Sequence, residues 1–106
     1  MERYTLHYDK QFYDFLDNNN MEVAGWGEWR QFRNCQAWTT DILLYNKETD
    51  EYIPAYVLQS YYTLVAIFFE KTETCIRLGK WSTTTSKQTS QWENAIRYRS
   101  WRWCCD

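Results

Sequence analysis

The sequence predicts an α+β domain: an antiparallel sheet of about four strands packed against a C-terminal amphipathic helix, with a short helix at the N-terminus. Three observations lead there. Residues 35–82 contain strand-length runs rich in β-branched and aromatic residues, broken by short polar segments. Residues 84–99 change to helical spacing behind a hydroxyl-rich start. With only 3 Gly and 1 Pro in 106 residues, the chain has few breakers, which favours short connections. A chain of this length forms one domain, residues 1–106, with a core large enough to need no staples.

Residues 4–8 read as a short strand. From Asp9 the pattern turns helical, because Phe12, Phe15 and Leu16 fall at i, i+3 and i+4. Asn18, Asn19 and Asn20 stop that helix, since Asn tolerates the left-handed backbone found past a helix end. Residues 21–34 mix signals. Trp26, Trp29 and Phe32 lie three apart, as on a helical turn, whereas Gly25 and Gly27 argue for a loop. An ordered loop or short helix lying on the sheet is expected there.

Strand character begins at Cys35. Residues 36–46 form the first strand of the sheet, and 47–50 a polar turn. Residues 52–58 form the next, with Pro54 suited to an edge. Residues 60–69 are apolar on both faces and read as a central strand. Residues 70–74 are a hairpin turn without Gly or Asn, and 75–81 the returning strand with a possible bulge at Gly79. The helix start reads as a capping box, Thr85-Ser86-Lys87-Gln88, with Thr84 as the alternative cap. Trp92 and Ile96 then face the sheet, and residues 100–106 form a tail.

The chemistry-bearing residues point away from catalysis. His7 is the one histidine, so a Ser or Cys nucleophile has little choice of base. Paired acids such as Asp14 with Asp17, or Asp50 with Glu51, sit in polar faces and turns, where solvation leaves carboxylates ordinary. There is no Gly-rich phosphate loop or dinucleotide fingerprint. Thr83 to Ser86 could line an anion site at a helix start, but capping explains the run. Cys35 and Cys75 read as buried strand residues and Cys104 and Cys105 as reduced tail thiols, without zinc spacing. The chain is expected to be no enzyme and to use no cofactor or metal.

Binding features are more visible. Aromatics make up 20% of the chain, enough both to fill a small core and to leave anchors on the surface. Acids outnumber bases in residues 1–53, and the balance reverses in residues 54–106. The acidic first half could dock on a basic partner, with Asp41, Glu48, Asp50 and Glu51 as contacts and Trp26 and Trp29 as anchors. The run Arg97, Arg99, Trp101, Arg102 and Trp103 alternates cation and ring, as a single-stranded nucleic-acid site would. The alternative for that run is rings that continue the packing face and arginines that stack on them. No segment has the length of a membrane-spanning helix and no apolar signal core opens the chain, so a cytoplasmic location is expected.

One stretch carries a resemblance. Ser60-Tyr61-Tyr62-Thr63-Leu64-Val65-Ala66, then Arg77-Leu78-Gly79-Lys80-Trp81-Ser82-Thr83-Thr84-Thr85-Ser86-Lys87, then Gln91-Trp92, resembles small uncharacterised proteins of bacteriophages and mobile elements. Those share a Ser-Tyr-x-Thr-x-Val-Ala strand and a Tyr-Ser-x-Thr-Thr helix start. The likeness covers residues 59–93. Many relatives have His on the first helical turn where this chain has Gln88. The resemblance implies a phage-encoded accessory protein in the host cytoplasm and supplies no catalytic residue. By analogy with small acidic phage proteins lacking an active site, the expected action is inhibition of a host defence nuclease, of the anti-CRISPR kind, by covering its nucleic-acid channel. Two other readings are a nucleic-acid-binding protein using the Arg/Trp run and a sponge or hydrolase for a signalling nucleotide.

Overall fold

The computed structural model describes residues 9–32, 36–79 and 82–98. The expected strand at 4–8 with His7, and Cys35, Arg99, Trp101, Arg102, Trp103, Cys104 and Cys105, lie outside the described residues. Helix α1 (Lys10–Asn18) is followed by strands β1 (Met21–Trp26), β2 (Arg30–Gln31), β3 (Ala37–Asn46), β4 (Glu51–Ser60), β5 (Thr63–Phe69) and β6 (Thr74–Arg77), and then by helix α2 (Thr83–Arg97). The fold is α+β, as expected. All strand pairs are antiparallel, in the order β1-β3-β4-β5-β6, with β2 also paired to β3.

The sheet has six strands, not about four. The additional ones come from the tryptophan segment, which is neither loop nor helix. Its alternation is hidden by a bulge between Val23 and Gly25, where the register with β3 shifts. Past Trp26 the chain turns tightly enough that a Cβ on Gly27 would stand 2.9 Å from the Asp41 carbonyl oxygen. Only glycine fits there.

The two helices lie on opposite faces. On one, Phe12 and Leu16 of α1 pack with Ile42, Leu44, Ala55, Val57, Leu64 and Ile67. On the other, Trp92, Ala95 and Ile96 of α2 pack with Leu58, Val65, Ala66 and Phe68. This explains why β5 is apolar on both sides. A bulge at Leu58/Gln59 lets the consecutive Val65 and Ala66 both join the α2 side.

Polar ties fix each helix. Asp9, which precedes α1, makes no cap bond with its side chain; instead Oδ1 accepts the Leu64 backbone N–H at 3.1 Å. On the other face, the Trp92 indole N–H donates to Thr39 Oγ1 at 2.9 Å, and Thr39 donates to the Val57 carbonyl at 2.9 Å. The helix start is shifted from the capping-box reading. Ser82 is the N-cap, its hydroxyl accepting from the Thr85 amide at 3.3 Å. Thr85 and Gln88 are turned inward instead, with Ser60 Oγ 3.1 Å from Thr85 Oγ1 and donating to Gln88 Oε1 at 2.8 Å. Five successive hydroxyl residues, Ser82 to Ser86, all suit a cap; the buried face, which must bring Thr89 and Trp92 inward, selects Ser82.

Other boundaries also move. Ser60 belongs to β4, and β4 and β5 join through Tyr61 and Tyr62 alone. β6 ends at Arg77, so Gly79 lies beyond the strand, beside the Gln11 side chain. Pro54 sits in an interior strand, yet β4 meets β5 only from Ala55 onward, so at Pro54 the strand has a neighbour on the β3 side alone. The proline marks a local edge.

Turn chemistry is unusual. Asn20, Asp50, Tyr61 and Glu73 all take positive φ, between 54° and 62°. The sign pattern at Tyr61-Tyr62 is that of a type II′ turn, which prefers Gly first. Tyr61 is half exposed, so little packing is lost on truncation. Tyr61→Gly is therefore expected to stabilise the fold by about 1 kcal/mol, read as a rise in Tm of about 4 °C; a fall in Tm would show that the tyrosine ring holds the turn.

Candidate protein-docking surface

Helix α2 shields only part of its face of the sheet. On that side lie alternate residues of β3 and their β4 partners: Ala37 with Ser60, Thr39 with Leu58, Asp41 with Tyr56, Leu43 with Pro54 and Tyr45 with Tyr52. The first two pairs are buried. Beyond them burial falls away: Asp41 and Pro54 are exposed, Leu43 is 40% exposed and Tyr52 64%. On β1 the register adds Glu22 beside Tyr45 and Gly25 beside Leu43.

The result is a bare corner of sheet with a hydrophobic and aromatic floor. The Tyr45 and Tyr52 rings lie 5.2 Å apart. The Tyr45 hydroxyl donates to Asp50 Oδ1, and that bond, followed by burial, raises the tyrosine pKa above its usual value. Glu22, Asp41 and Asp50 rim the floor, and none of the β1, β3 or β4 positions on it is Lys or Arg. The adjoining β3–β4 turn is shaped by Asn46, whose Oδ1 accepts the amides of Glu48 at 2.8 Å and Thr49 at 3.1 Å.

The residues expected to bind a partner fall into three places. Glu48, Asp50 and Glu51 gather at the β3–β4 turn. Asp41 lies further along β3, on the bare corner, with its side chain against Gly27. Trp26 and Trp29 stack on one another at 5.8 Å on the opposite face, where Trp26 also lies 5.8 Å from Phe12. They form an aromatic extension of the α1 core, with Trp26 still 42% exposed, and they do not share a surface with Asp41. Sequence reasoning missed Leu43, Tyr45 and Tyr52. Their strand alternation was visible, but not that α2 stops short of them.

The Arg/Trp run enters the described residues only at Arg97, which is engaged within the fold. Its guanidinium donates to Glu93 at 2.5 Å and to the Glu73 carbonyl at 3.0 Å, and sits 5.3 Å above the Phe68 ring. Arg77 joins by donating to Ser90 at 3.1 Å. These contacts follow the stacking alternative at this one position.

Cys75 packs beside that network. Its thiol is pushed up from 9.0 to about 12, first by burial and then by the Glu93 carboxylate, against the pull of Arg77 and Arg97. Alkylation of Cys75 by iodoacetamide at pH 8, followed by peptide mass mapping, is expected to run at least a hundredfold slower than in the unfolded chain. Because the folded state holds this proton longer than the unfolded one, its contribution to stability is full below about pH 9 and falls as the pH approaches 12.

An open groove of about 700 Å³ lies at the sheet end, where the β3–β4 and β5–β6 turns separate. Its lining includes Asn19, Tyr52, Phe69 and a single base, Lys71, together with Glu51. One base balanced by one acid is not the cluster of cations that a phosphate-rich nucleotide calls for. Among the described residues no group of three His, Cys, Asp or Glu side chains is placed to hold a metal ion, and no helix is long and apolar enough to cross a membrane.

Comparison with protein families gives one match, over residues 6–101, to a family of unknown function, DUF8033. The chain belongs to that family. No curated protein and no solved structure matches it.

Proposed function

We propose that this DUF8033 member is a phage-encoded accessory protein that acts by binding another protein, as an inhibitor of a host defence nuclease of the anti-CRISPR type. The observation that carries the reading is the continuity of the acidic β3–β4 turn with the bare aromatic corner. Exposed tyrosines supply desolvated anchors at low entropic cost, and the carboxylates supply steering toward a cationic groove. The phage origin rests on the resemblance of residues 59–93, and the choice of a defence nuclease on analogy with acidic phage inhibitors.

The action is occlusion, with Glu48, Asp50 and Glu51 standing where nucleic-acid phosphates would otherwise lie. Expression in a host that carries a defence nuclease is expected to raise the plating efficiency of a targeted phage. The purified protein is expected to compete with nucleic acid for that nuclease. Unchanged plating across a panel of nuclease systems, with the protein folded and abundant, would sink the proposal. Direct nucleic-acid binding is the weaker reading, because Arg97 is already held by Glu93 and Glu73.

A further inference from the structure

We infer that the bare corner formed by Leu43, Tyr45, Tyr52 and Pro54 is a receptor for arginine side chains of a protein partner. The inference rests on the protein-binding reading above and names the chemistry of the surface it would meet. Two properties of the corner select that occupant.

The first is shape and ring content. The floor is sheet, with Tyr45 and Tyr52 side by side at 5.2 Å. Exposed tyrosine faces attract cations, and a planar guanidinium stacks on them better than a compact ammonium does. The second is charge. Glu22 is paired with Tyr45 and Asp50 accepts from the Tyr45 hydroxyl, so the Tyr45 ring of the pair has a carboxylate on β1 and another at the β3–β4 turn. A guanidinium lying on a ring could then bond a carboxylate at its edge, a geometry that lysine cannot match. The β1, β3 and β4 positions of the corner carry no Lys or Arg, and Arg30 on the neighbouring β2 donates to Glu28. The same acids repel phosphate, which excludes a nucleic acid as occupant.

The molecule contains a smaller version of this arrangement. Arg97 lies over Phe68 while bonding Glu93, a cation between a ring and a carboxylate. There the chain supplies its own arginine; at the corner, β1, β3, β4 and the β3–β4 turn supply Glu22, Tyr45, Tyr52 and Asp50.

The test uses the full chain and two peptides, octa-arginine and octa-lysine, with amide NMR shifts as the readout. Octa-arginine is expected to shift residues 22, 41–45 and 52–56 and to bind at least fivefold more tightly than octa-lysine. Tyr52→Ser, at a side chain 64% exposed, is expected to weaken octa-arginine about fivefold or more without lowering Tm, and Glu22→Lys to do the same. Asp17→Lys on α1, an equal change of charge on the other side of the sheet, is expected to change binding less than twofold. Equal affinity for the two peptides, or shifts spread over all acidic residues, would overturn the inference. So would the corner's residues shifting with protein concentration alone, which would mark a second copy as the occupant. If the Tyr52→Ser effect holds but the protein rescues no phage, the receptor stands and the defence target falls. If phage rescue holds but the peptides do not discriminate, the reverse is true.

Discussion

Replacing Trp92 with alanine is expected to destabilise the protein by about 3–5 kcal/mol, a large part of what a domain of this size possesses. Trp92 is fully buried, at 0% exposure, in the cluster that joins α2 to β4 and β5. It meets Phe68 edge-on, with centroids 6.4 Å apart, and its N–H is satisfied by Thr39. Alanine leaves a cavity that a close-packed interior closes only partly. Trp92→Phe separates packing from polarity. It keeps most of the ring and strands no donor, because Thr39 still donates to Val57, so the expected cost is about 1–2 kcal/mol. Urea unfolding followed by circular dichroism reads both variants. A loss below about 1 kcal/mol for alanine would mean that α2 is not anchored through this residue.

Phe12→Ala is the matching experiment on the other face, with an expected loss of about 3–4 kcal/mol. Phe12 is 0% exposed and touches Tyr13, edge-on at 4.9 Å, and Trp26. Helix α1 has only 9 residues, too few to hold helical structure without tertiary contacts. The two variants should therefore differ in kind. Phe12→Ala is expected to speed amide exchange throughout α1 at denaturant levels where α2 stays protected. Trp92→Ala should show the converse. Identical exchange profiles in both variants would argue that the two faces melt as one unit.

Much of this architecture is legible in the residues, and the exceptions have physical causes. The i, i+3, i+4 spacing of Phe12, Phe15 and Leu16 gives α1, and the doubly apolar run through Val65 and Ala66 marks an interior strand. β1 escapes notice because its bulge at Ala24 shifts the alternation and because three aromatics happen to fall at helical spacing. The helix cap is misplaced by three residues because adjacent hydroxyls are locally equivalent and only the tertiary contact of Thr85 with Ser60 distinguishes them. Of the candidate site, the acidic turn residues could be named beforehand. The tyrosine floor could not, since it depends on where a helix ends over a sheet, which no local pattern encodes. Trp26 and Trp29 read as surface anchors, but tryptophan serves interfaces and cores alike; the stacked pair leans on the α1 core while Trp26 stays 42% exposed.

The ties that secure each helix span long distances along the polypeptide. Asp9 reaches a partner 55 positions away, and Trp92 one 53 positions away. A growing chain emerging from the ribosome cannot satisfy Asp9 until β5 has been made, nor dock Trp92 until α2 has followed every strand of the sheet. High contact order of this sort slows the search for the native state to milliseconds or longer. Both helices are thus secured late, once the strands they rest on have been made, and the sheet with its two covers assembles all at once instead of piece by piece.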